Sequence, residues 1–149
     1  MQKPFSPKTG QTDYTNIRWV PVINCVLRYE GKMLLVKRSS DLKLYPDFWN
    51  GISGFLDDQQ SLEDKAKEEI QEELGMSPDH IQEIRLGTIF HQDAPEYKKT
   101  WIVHPLLVDV TTNKVHLDWE AKEFAWVPIQ DVQKYNVLPG FDRVLQNFF

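Results

Sequence analysis

Apolar runs broken by short polar punctuation divide the chain into several strand-like segments and a few helical ones. Val20 to Leu27 is rich in branched side chains and lacks clean alternation, the pattern of a strand covered on both faces. Met33 to Val36 is a second short run, and Glu30-Gly31 between the two predicts a hairpin connection. Ile81 to Phe90 and Thr100 to Val110 read as further strands, with Pro105 demoting the latter to an edge or bulged strand. Glu123 to Val127 reads as a last short strand. Ser61 to Leu74 carries helical spacing, with Ser61 and Asp64 as a capping-box-like start and Gly75 and Pro78 as a stop. A short helix is expected from near Pro128 and a C-terminal one over roughly 140–149. These elements predict one α/β (α+β) domain over 17–149, with helices packed on a sheet. Residues 1–16, polar and carrying Pro4, Pro7 and Gly10, predict a flexible N-terminal arm.

Composition narrows the function. The 149 residues are 41% hydrophobic and 26% charged, as in an ordinary globular domain. A net charge of −5 argues against a surface for duplex nucleic acid or an anionic membrane. It leaves phosphorylated small molecules open, because a bound cation inverts the local charge of an acidic site. The single Cys25 rules out an internal disulfide, suits the cytoplasm, and reads as a small buried hydrophobe. No signal-like apolar segment opens the chain, and no apolar run approaches the roughly 20 residues of a membrane span.

The chemistry concentrates in GFLDDQQSLEDKAKEEIQEELGM, 54–76. At roughly 100° per residue, Leu62, Ala66, Ile70 and Leu74 form an apolar stripe, and Glu69 and Glu73 project about 20° to either side of Leu62. Glu72 lies about 60° beyond Glu69. Three carboxylates thus share a sector that begins inside the apolar edge. Like charges three and four positions apart repel, and a carboxylate drawn toward a core loses hydration. No Lys or Arg of the helix shares the sector; Lys65, the nearest, lies roughly 40° from Glu69 and reads as pointing elsewhere. Hard divalent cations with oxygen ligands would relieve the conflict, Mg²⁺ or Mn²⁺ being the expected type. A solvated acidic face is the bland alternative.

This segment resembles the Nudix box, G-x5-E-x7-R-E-U-x-E-E-x-G-U, with U a bulky aliphatic. Gly54 matches the opening glycine, and Glu69, Ile70, Glu72, Glu73, Gly75 and Met76 match the end with spacing intact. The order of segments and WEAKEFAWVP, 119–128, are also similar to that family. The resemblance implies an α/β/α sandwich with a mixed central sheet, hydrolysis of a diphosphate linkage in a nucleotide derivative, and Mg²⁺ held by Glu69, Glu72 and Glu73 with the Gly54 carbonyl. It also implies that Glu69, or an acid in a later loop, helps deprotonate the attacking water. Two positions depart: the pattern's first Glu is Gln60 and its Arg is Glu68. Both partners of an expected bracing pair have changed, so the Gln60 amide is expected to donate to the Glu68 carboxylate. The departures leave open a second reading, a catalytically weakened domain that binds a nucleotide or a protein partner. A homodimer is common among similar proteins.

Outside the box, Glu120 is a candidate further metal ligand, with Glu123 behind it. Lys37 and Arg38 are candidates for phosphate oxygens, and Phe48, Trp49, Tyr97 and Trp101 for stacking on a base. Trp126 reads as core. His91 and His104 lack a nucleophile partner and read as structural. No phosphate-cradling P-loop pattern is present.

Overall fold

The computed structural model describes residues 10–149. Strands β1 (Trp19–Tyr29) and β2 (Lys32–Arg38) form the expected hairpin. Its two connecting residues, Glu30 and Gly31, both take positive φ, the twist-matching turn for a two-residue loop. The hairpin pairs only at its closed end, Arg28 with Met33 and Tyr29 with Lys32. Beyond that the strands splay, and β3 (Trp49–Asn50) and β4 (Ile52–Phe55) enter the gap, β3 pairing with β2 and β4 with β1. Gly51 sits at the junction because a side chain there would meet the Cys25 carbonyl at 2.5 Å.

The remaining strands are β5 (Ile81–Leu86), β6 (Phe90–Ala94), β7 (Lys99–Val110) and β8 (Ala121–Pro128). β1 and β7 run parallel from Trp19–Thr100 to Arg28–Asp109, and the other strand pairings are antiparallel, so the sheet is mixed. Helices α1 (Leu62–Leu74) and α2 (Phe141–Gln146) cover opposite faces. Alternation in the sheet sorts the core: Ile23, Cys25, Leu27, Leu106 and Val108 pack toward α1 with Ala66, Ile70 and Leu74. Val20, Val26, Leu107 and Trp101 pack toward α2 with Phe141 and Val144. Strands covered on both faces explain the unbroken apolar runs.

Several expectations need correction. The segment 81–90 is two strands rather than one, both lying along β7 and interrupted at Gly87–Ile89. β7 is not an edge: it lies between β1 and the β5–β6 pair. The Pro105 carbonyl accepts from the Gly87 amide, so its missing N–H faces this interruption, where no ladder bond is demanded. After Pro128 comes a 3₁₀ turn, Ile129–Lys134, and the C-terminal helix is only six residues long. Trp126 is half-buried at the rim of the α1-side core, its indole donating to the Asn113 carbonyl.

Of the expected N-terminal arm, residues 1–9 lie outside the described residues. The part that follows is tied down: the Thr12 amide donates to the Asp57 carbonyl at 2.7 Å, the Tyr14 hydroxyl to the Leu56 carbonyl at 2.8 Å, and Lys99 binds the Tyr14, Thr15 and Ile17 carbonyls.

Candidate active site

A cleft of about 630 Å³ opens where the hairpin splays. One end is acidic, with Gly54, Glu68, Glu69, Glu72 and Glu120; the other is aromatic and apolar, with Tyr45, Phe55, Trp101, Leu138 and Phe141.

α1 supplies most of the acidic end. Ser61 caps it, its hydroxyl accepting from the Asp64 amide at 3.1 Å, and Gly75 ends it in the left-handed conformation. Burial of Ala66, Ile70 and Leu74 fixes the helix's rotation. That rotation leaves Glu72 exposed and draws Glu69 and Glu73 partly inward. Burial, followed by the charge of Glu72, pushes the Glu69 carboxyl up to about 8. Glu73 is raised well above the usual range, by burial first and then by Glu120 and Glu69. One of its carboxylate oxygens, Oε2, is buried with no hydrogen-bond partner.

Glu120 arrives from the turn before β8. The segment preceding it is laced to the end of α1, with the His116 amide donating to the Leu74 carbonyl at 2.9 Å and the Asp118 amide to the Glu73 carbonyl at 3.3 Å. Burial raises Glu120 as well, assisted by the charge of Asp118. Gly54 closes against the acids: a Cβ there would lie 2.7 Å from the Glu69 carboxylate carbon. Among the described residues, no three His, Cys, Asp or Glu side chains converge as a ready-made metal cage.

Two cations reach this end: Arg38, an expected phosphate contact, and Lys65, expected to point elsewhere. Arg38 lines the cleft, its Nε donating to the Leu44 carbonyl at 3.1 Å. Burial lowers its pKa, opposed by the facing charges of Glu73 and Glu120. A register shift between Lys37 and Arg38 in the β2–β8 pairing accompanies this inward turn. Lys65 does not point away from the site: it is 3% exposed and bonded to Asp57 and Asp58 at 3.0 Å each and to Glu68 at 3.4 Å. The expected Gln60–Glu68 link is present, the amide donating at 2.7 Å.

Asn24, Asn50 and Ser53, none of them a candidate from the sequence, line the cleft, as does the stacking candidate Trp101. The Asn24 side-chain Nδ2 donates to the Asn50 side-chain Oδ1 at 2.9 Å, and the Asn50 Nδ2 to the Ser53 hydroxyl at 3.3 Å. The legible signal was an asparagine inside the apolar run of β1. Trp101 lies stacked on Phe55 and donates to the Tyr45 hydroxyl at 3.0 Å. Trp119, 39% exposed, stands beside Glu120 at the acidic end.

Other candidates fall elsewhere. Lys37, Phe48, Trp49, Tyr97 and Glu123 are not among the residues lining the cleft. Lys37 faces Glu123 across the β2–β8 pair at 3.8 Å, Phe48 packs on Tyr45, and Trp49 on Tyr135. The Tyr97 hydroxyl accepts from the Tyr45 amide. His91 packs against Trp19, and His104 lies by the Val22 carbonyl; neither lines the cleft. Cys25 is fully buried, and burial raises its thiol far above the reactive range.

Comparisons with known proteins agree with this fold. The NUDIX domain family matches residues 18–148. The nucleoside triphosphatase NudI of Escherichia fergusonii is 25% identical over 121 residues, covering 75% of this chain and 84% of that protein. The MutT NUDIX hydrolase of Burkholderia pseudomallei superposes with a TM-score of 0.76 at 16% identity, covering 89% of this chain and 99% of the other. An Ap4A hydrolase of C. elegans, solved as a binary complex, gives a TM-score of 0.66 at 17% identity over 89% and 95% of the two chains.

Proposed function

The chain belongs to the Nudix hydrolase family and is a pyrophosphohydrolase of that type; on that premise we propose that it cleaves a diphosphate linkage in a nucleotide or nucleoside diphosphate derivative with Mg²⁺ or Mn²⁺. The observation that carries this reading is the buried, unpartnered Oε2 of Glu73, beside a Glu69 carboxylate pressed against Gly54. Buried acceptors without a donor are costly, and crowded carboxylates of this kind suit a hard cation. Glu69, Glu72 and Glu73, with the Gly54 carbonyl and Glu120, would hold the ion. Bound there, it would supply charge neutralisation for the diphosphate and a lowered pKa for a water near neutral pH.

The chain's own groups would do the rest. Glu69 or Glu120 would take the proton of the attacking water at a carboxylate oxygen. Arg38, which lines the cleft next to Glu120, would meet phosphate oxygens, where its fork can engage two at once. Trp101, Tyr45 and Phe55, which line the same cleft, would receive the base or a second organic moiety. This reading carries a cytosolic location, in keeping with the single buried cysteine. No helix of the described residues is long and apolar enough to cross a membrane.

A panel of nucleoside triphosphates, dinucleoside polyphosphates and nucleotide sugars, assayed with Mg²⁺ and then EDTA, tests the reading. Turnover should stop with chelation. Glu72→Gln, folded by circular dichroism, should lose more than the roughly 10–100-fold that removal of an outer-shell partner costs. Full rate in that variant would mean the metal assignment is wrong. The departures at Gln60 and Glu68 favour a second reading, a catalytically weakened domain that binds a nucleotide or a protein partner, and the panel separates it by showing saturable nucleotide binding with little product.

A further inference from the structure

The family pattern places a Glu at 60 and an Arg at 68, whereas this chain carries Gln60 and Glu68. What braces the Gly54 loop against α1 is therefore open. The direct replacement, the Gln60 amide on Glu68, is a solvent-exposed bond between flexible side chains. Such bonds contribute little net stability and are easily exchanged for water.

A stronger connection lies beneath it. Lys65, at a position the pattern leaves open, is 3% exposed and sends its ammonium into the loop between β4 and α1. It bonds Asp57 and Asp58 at 3.0 Å each, three and four residues after Gly54, and Glu68 of its own helix at 3.4 Å. Burial alone would lower the lysine pKa, but the bonds to Asp58 and Asp57 override it and hold the group fully charged. Asp57 is 8% exposed, and its backbone carbonyl takes the Thr12 amide, so the clasp is closed from outside as well. A buried cation with three carboxylate partners is far harder to open than a surface amide link, because removing one partner strands charge out of water. The missing Arg charge has in effect moved three positions along the helix, and Glu68 has become an acceptor for it.

We propose that Lys65 is the positioning residue of this active site, the relocated cation that locks the Gly54 loop onto α1 and so sets the approach of Gly54 to Glu69. The proposal rests on the metal-hydrolase reading above and concerns only how the ligand set is held. It accounts for both box departures with one device. It also makes the isolated reversion Gln60→Glu with Glu68→Arg harmful, since a guanidinium would then crowd the buried ammonium of Lys65.

The test uses Mn²⁺ binding to the purified full chain, read by electron paramagnetic resonance of free Mn²⁺, alongside the Mg²⁺ dependence of turnover. Lys65→Met should weaken Mn²⁺ binding and raise half-saturating Mg²⁺ by about 10–100-fold, with nucleotide KM at saturating metal little changed. The triple variant Lys65→Ala, Gln60→Glu, Glu68→Arg returns the cation to position 68 and should recover most of the affinity, whereas the double reversion with Lys65 in place should not. If Lys65→Met does not fold, the triple variant decides alone: folded with restored Mn²⁺ binding it supports the proposal, unfolded or folded without binding it overturns it. Wild-type metal affinity in a folded Lys65→Met also overturns it while leaving the function intact. A wild-type chain that binds no Mn²⁺ at all removes the metal reading first, and this proposal with it.

Discussion

At the scale of single residues, the site is built on two close approaches that only glycine permits, and they differ in what a methyl group would strike. At Gly51 the obstacle is the Cys25 carbonyl at 2.5 Å, a backbone atom inside the sheet. At Gly54 it is the end of the Glu69 side chain, at 2.7 Å to its carboxylate carbon and 2.8 Å to Oε1. Backbone cannot yield, so Gly51→Ala is expected to destabilise the fold, in the roughly 1–3 kcal/mol range of overpacked cores. A side chain can yield, so Gly54→Ala should fold with near-normal stability but displace Glu69, costing about 100-fold in kcat/KM. Urea denaturation and steady-state kinetics on the two variants would show this split; equal effects on both properties would refute it.

At the scale of elements, α1 carries both the packing and the chemistry, so its stability and the site's geometry are linked. The Ser61 hydroxyl satisfies one of the helix's free amides, and the cap is half-formed from local sequence alone. Ser61→Ala should cost about 1 kcal/mol in a urea melt while sparing the metal-binding geometry, since Lys65 clasps the same turn independently. Much of α1 was legible because its determinants are short-range: caps, a repeating apolar stripe, and acids at fixed offsets from it. Strands fared less evenly. The tight hairpin at Glu30-Gly31 could be read off the chain, but the place of β7 could not. A proline marks a strand as unfit for the sheet interior only if its missing N–H faces a partner that needs it, and here it faces the break at Gly87–Ile89.

At the scale of the molecule, the acidic end stores strain that depends on pH. Glu69, Glu73 and Glu120 are all raised above their ordinary value of 4.5, each by burial before any other cause. Carboxyls with raised native pKa bind more protons folded than unfolded above that value, so the metal-free protein should lose stability as pH rises from about 5 toward 8. In EDTA the urea midpoint should fall across that window, and saturating Mn²⁺ should flatten or reverse the slope; a metal-free midpoint that rises would contradict the burial of these acids. The sequence by itself determined the glutamate helix, its caps, the glycine that leads into it and the apolar runs of a two-faced sheet, because these follow from backbone sterics and side-chain period over a few neighbouring residues. Only the tertiary structure decided that Arg38 turns inward opposite Glu73, that Glu120 is drawn to the end of α1, that Asn24 and Asn50 meet where the hairpin splays, and that Lys65 folds beneath the loop instead of into water. Each of these rests on a partner far along the chain or in another element, and the choice among partners is made by whichever packing leaves the fewest charges and polar groups buried alone.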